Sequence, residues 1–155
     1  MKNLLVIAAL LISAAGFAQS NKEEVDFIQS IYGQGKKNIV ADFIPLEGAK
    51  KDAFWVVYDE YETERKELGH KRVALLEKYV DNYDNMDEPT MDEISKEMIA
   101  LGQKNDKLVA TYYDKIKKAA GVKPASQWLQ IESYLLSVVR AYILEEIPFI
   151  GELEN

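Results

Sequence analysis

From Phe54 to Tyr79 an apolar or aromatic residue returns every three or four positions, through Phe54, Tyr58, Tyr61, Leu68, Leu75 and Tyr79, with Arg65 and Arg72 set into the same row. That spacing follows one face of an α-helix and fits no strand, whose faces alternate at every second residue. In heptad terms Phe54, Tyr61, Leu68 and Leu75 are d positions, and Tyr58, Arg65, Arg72 and Tyr79 are a positions. A helix over roughly 50–82 with such a seam must bury it against other helices.

The rest of the chain supplies them. A segment over roughly 22–43 carries Val25, Ile28, Tyr32, Ile39, Val40 and Phe43 on a loose helical period, interrupted by Gly33 and Gly35 and closed by Pro45 and Gly48. A third segment starts at Thr90, where Thr90 and Glu93 have the spacing of a capping box, and carries Met91, Ile94, Met98, Leu101, Leu108, Tyr112 and Ile116 up to Gly121. A fourth opens with Pro124 in its first turn, carries Trp128, Ile131, Tyr134, Leu135, Val138, Val139, Tyr142 and Ile143, and ends at Pro148. Its apolar arc exceeds one seam, which predicts the most buried helix of the set. No strand pattern and no fixed repeat is present. The second and third segments, joined by a short acidic linker, should form a long antiparallel hairpin. The fold class is therefore all-α: this hairpin plus two further helices, as a four-helix bundle or an open cradle.

Residues 1–18, "MKNLLVIAALLISAAGFA", read as a secretory signal peptide: a basic start at Lys2, an apolar run from Leu4 to Ala15, and small residues Gly16 and Ala18 at a cleavage site. The run is shorter than the ~20 residues that span a bilayer. Cleavage leaves 19–155 as a single helical domain, periplasmic or secreted, with no membrane insertion afterwards. There is no cysteine, so neither a disulfide nor a lipidated cysteine is available, and the fold must rest on its core. The formal net charge of −7 becomes −8 once Lys2 is lost. An acidic chain without a basic tract speaks against nucleic acid and anionic membranes as partners.

The arginines are the anomaly. The chain has three, and two stand on this seam, where a guanidinium cannot lose its charge to escape burial. Hairpin geometry offers Asn105, Asp106 and Glu132 near Arg65, and Glu145 near Arg72. Three readings follow: stems covering an edge with heads in water, a buried polar layer fixing register, or an open groove in which Arg65, Arg72, Tyr58, Tyr61 and Tyr79 bind a partner.

Other chemistry is sparse. Glu67 and His70 have the Glu-x-x-His spacing of di-metal bundles, but His70 is the only histidine, so the second half of such a site is missing, and heptad counting places it toward solvent. The acidic linker around Asp81, Asp84 and Asp87 lacks calcium-loop spacing. Met91 and Met98 lie one heptad apart on the core face, as gap-filling residues do. With no cysteine, one histidine and no phosphate loop, the sequence reads as non-enzymatic, with no cofactor, metal or catalytic residue.

An exported, cysteine-free, all-helical chain with an amphipathic hairpin seeded with arginine and tyrosine resembles the Spy/CpxP-type periplasmic proteins, helical cradle-shaped chaperones and stress adaptors. The resemblance covers the general plan from about 50 to 145. The LTxxQ motifs of that family are absent, the nearest glutamine contexts being "LGQKN" at 101–105 and "SQWLQ" at 126–130, and no site residue carries over. It implies a chaperone-like binding protein or stress adaptor of the cell envelope, taking an unfolded client or an envelope protein as partner. The alternatives are an interaction protein that pairs with itself or an envelope partner through the fourth helix, and a small-ligand or metal carrier with its site inside the bundle.

Overall fold

The computed structural model describes residues 22–150, with their side chains from Tyr32 on, Glu146 excepted. The leader expected over residues 1–18 lies outside the described residues. Within them the chain forms four α-helices, α1 (Lys22–Phe43), α2 (Gly48–Asn82), α3 (Glu88–Ala120) and α4 (Val122–Glu146), with a 3-10 turn at Tyr83–Asn85 and no strand.

The helix boundaries follow local chemistry. α1 runs unbroken through Gly33 and Gly35, against expectation. A helical glycine costs only up to ~1 kcal/mol, and α1 is held by tertiary contacts that outweigh it. It stops before Pro45, which disfavours helical geometry at Ile44. α3 begins earlier than a Thr90–Glu93 box would have it: Asp87 is the cap, its Oδ1 accepting from the Thr90 N–H at 2.9 Å. Pro89 fits this first turn because its missing N–H would have had no helical partner there.

Gly121 joins α3 to α4 alone, with φ 105° and ψ 171°. That region of backbone space is essentially reserved for glycine. Gly121→Ala is expected to lower stability by roughly 1–3 kcal/mol. Gly102 lies inside α3 with open space where a Cβ would go, so Gly102→Ala is expected to raise stability by ~0.5–1 kcal/mol. Urea unfolding of the two variants checks both signs.

α2 and α3 form the expected antiparallel hairpin. Tyr61 meets Tyr112 edge-on at 5.3 Å near its open end, and Lys78 pairs with Glu93 at 2.9 Å near its tip. α4 turns back along α3, and α1 packs against α2 and α4. The core has two parts. One, at the open end, gathers Val40, Phe54, Tyr58, Tyr61, Tyr112, Ile116 and Trp128. The other, at the tip, consists of Leu75, Tyr79, Ile94 and Leu101, with Met98 packed against it. α4 is not the most buried helix. Its buried positions are Ala125, Trp128, Glu132 and Leu135, while Tyr134 and Leu144 are exposed, because its apolar arc is wider than the strip its neighbours cover.

Candidate functional site

The residues on the α2 seam separate into two places. At the open end, Tyr58 and Tyr61 are fully buried and Arg65 is largely so. They surround a charged cluster to which α1, α2 and α4 all contribute. Lys36 projects from α1, one turn after Tyr32 and one before Val40, and is 1% exposed. Its Nζ lies 2.6 Å from Glu62 Oε1 and also pairs with Glu132 Oε2. Arg65 directs Nε and Nη2 at Glu62 Oε2, each at 3.0 Å. The Tyr61 hydroxyl donates to Glu132 Oε1 at 2.5 Å. Two carboxylates and two cations thus balance in one water-poor layer.

Aromatic faces complete the shell. The ammonium of Lys36 lies 4.9 Å from the Tyr61 ring centre, and the Arg65 guanidinium 5.2 Å from that of Tyr32. Both are cation–π distances. Trp128 meets Tyr61 edge-on at 5.0 Å. Gly33 lies beside the layer: a Cβ there would stand 3.8 Å from Glu62 Oε2, an ordinary contact distance. Burial lowers the proton affinity of Arg65, but the Glu62 carboxylate, Tyr32 and Glu132 more than offset this, so the guanidinium is held above its ordinary value. Burial, reinforced by the two carboxylates, pushes Tyr32, Tyr58 and Tyr61 well above the ordinary tyrosine range. The hydroxyl of Tyr58 and the indole N–H of Trp128 are buried without a partner among the described residues.

This geometry selects among the three readings of Arg65. It belongs to a buried polar layer, and its acceptor is Glu62, one turn earlier on its own helix. Asp106 is exposed and Asn105, though buried, makes no hydrogen bond through its amide nitrogen. Glu132 does join the layer, through Lys36 and Tyr61. Tyr58, Tyr61 and Tyr79 are buried, so among the described residues these three do not face an open groove.

Toward the tip, Arg72 is half-buried and has no carboxylate partner among the described residues. Glu145, its expected partner, is exposed. Burial, then the charge of Arg140 on α4, push the Arg72 guanidinium below its ordinary value. Tyr79 is buried and donates to the carbonyl of Pro148 at 2.7 Å, and Tyr83 donates to that of Phe149 at 2.8 Å. These bonds fasten the segment after α4 to the hairpin tip. Phe149 and Ile150 are 68% and 56% exposed there, and Val80, next to Tyr79 in sequence, is 56% exposed.

His70 is half-buried rather than solvent-facing. Among the described residues no group of three or more His, Cys, Asp or Glu side chains is placed to hold a metal ion, and no helix is long and apolar enough to cross a membrane. The residues that sequence reasoning missed are Lys36 and Glu62. Lys36 carried the same signal as the arginines, a charge in phase with an apolar row, Tyr32–Lys36–Val40. Glu62, adjacent to Tyr61, carried none.

Comparison with known proteins finds no matching family model, no similar curated protein and no similar solved structure.

Proposed function

We propose that the chain is an exported, non-enzymatic binding protein of the cell envelope that holds partly unfolded protein clients. The supporting observation is the hairpin tip, where the segment after α4, tied down by Tyr79 and Tyr83, exposes Phe149 and Ile150, and where α2 exposes Val80. Exposed apolar side chains grouped at one place are the usual mark of a protein-binding surface. The arginine–tyrosine row is a poorer candidate, since most of it is committed to the sealed layer. Changing Arg65 to glutamate would set a third carboxylate beside Glu62 and Glu132, and so test the core rather than the surface.

The test uses protein recovered from an envelope fraction, whose intact mass should begin at Gln19. At stoichiometric excess it should slow aggregation of a denatured client without nucleotide. The triple variant Val80→Ser, Phe149→Ser, Ile150→Ser should keep its helical circular dichroism and lose most of that effect. A folded wild-type protein that leaves aggregation unchanged removes the client reading. The same patch also suits self-association. A dimer in light scattering that the triple variant converts to monomer would favour that second reading.

A further inference from the structure

A groove of about 490 Å³ runs between α3 and α4 on the molecular surface. Because the two helices are antiparallel, Asn105, Ser137 and Arg140 fall at one end, and Leu129 at the other, with Val109 and Leu136 between. Val109, Leu129 and Leu136 make much of the floor apolar; Asn105 and Arg140 stand at one end, and the exposed carboxylate of Asp114 at the other.

The Asn105 end holds donors without acceptors. Asn105 is 7% exposed, and its Nδ2 has no hydrogen-bond partner among the described residues. A buried amide N–H left unpaired is unfavourable. Arg140 stands at the rim with no ion pair within 4.0 Å among the described residues. Arg72, on α2, is opposed by the Arg140 charge but does not line the groove. An oxyanion at this end would accept from the Asn105 amide and neutralise the Arg140 charge. Asp106 lines the groove too, as an exposed carboxylate. It would repel a second negative charge, which favours a monoanion over a phosphate dianion.

We propose that this groove binds a small amphipathic carboxylate. The carboxylate sits between Asn105 and Arg140, and the apolar body lies along Val109 and Leu136 toward Leu129. The oxygen atoms replace the missing acceptors, and the charge-assisted bond to Arg140 fixes the orientation. The site is separate from the apolar tip and does not depend on client binding.

The probe is decanoate below its micellar concentration, with decanol and inorganic phosphate as comparators. Binding is measured by titration calorimetry and by the side-chain amide resonances of Asn105. Decanoate should bind saturably and shift those resonances, while decanol and phosphate each bind at least about tenfold more weakly, the worth of one charge-assisted hydrogen bond. Arg140→Gln, a change at an exposed position, should weaken decanoate by a similar factor. Asn105→Ala should weaken it also, with the fold checked by circular dichroism. Absence of saturable decanoate binding overturns the proposal. So does decanol or phosphate binding as tightly as decanoate, or an unchanged affinity in Arg140→Gln.

Discussion

Lys36→Met is expected to destabilise the protein by about 3–5 kcal/mol, the loss typical when one member of a buried ion cluster is removed. The substitution leaves Glu132 buried with only the Tyr61 hydroxyl to stabilise it, and Glu62 with Arg65 alone. The double variant Lys36→Met, Glu132→Gln should recover most of the loss. The amide oxygen of glutamine can still accept from Tyr61, methionine fills the lysine stem's volume, and Arg65 and Glu62 remain a balanced pair. Urea unfolding of wild type, both single variants and the double variant closes the cycle. A single Lys36→Met variant within ~1 kcal/mol of wild type would mean that water reaches the layer.

Alkaline pH should unfold the protein steeply. Tyr32, Tyr58 and Tyr61 are held protonated by burial first and by the Glu62 and Glu132 charges second. In the unfolded chain they ionise near pH ~10. Above that pH the unfolded state releases protons that the folded state keeps, so stability falls with rising pH, by about 1.4 kcal/mol per pH unit for each tyrosine. Three together remove ~4 kcal/mol per unit, against a total stability of roughly 5–15 kcal/mol for an ordinary domain. Far-ultraviolet circular dichroism and tyrosinate absorbance, followed together, should change in one step above pH ~10. Ionisation of all the tyrosines near pH ~10 with the helices intact would show that this cluster is open to solvent.

Much of the fold was legible because helical periodicity is a local signal. The row from Phe54 to Tyr79 fixed α2, and its partner row from Ile94 to Ile116 fixed α3. Gly33 and Gly35 misled because a propensity penalty of ~1 kcal/mol is visible in sequence, whereas the tertiary contacts that override it are not. The charged layer was half legible. Arg65 on its seam admitted a polar layer as one of three readings, and Glu132 lay at the right height. The choice of Glu62 as acceptor could not be read, since it depends on which way the Arg65 side chain folds along its own helix. Lys36 depended on where α1 docks, and nothing local to α1 encodes that.

The layer also imposes an order on assembly. α2 and α3 are neighbours in sequence and can pair as soon as both exist, with contacts of modest loop length. α1 is different. Lys36 needs Glu132, which lies near the far end of the chain, as well as Glu62. Synthesis proceeds from the amino end, so α1 emerges before either α2 or α4 can supply its partners. Until α4 arrives, the cleft that will hold Lys36 has only two walls, and its carboxylates stay hydrated. Lys36 can therefore meet Glu62 before α4 forms, but closure of the layer waits for Glu132.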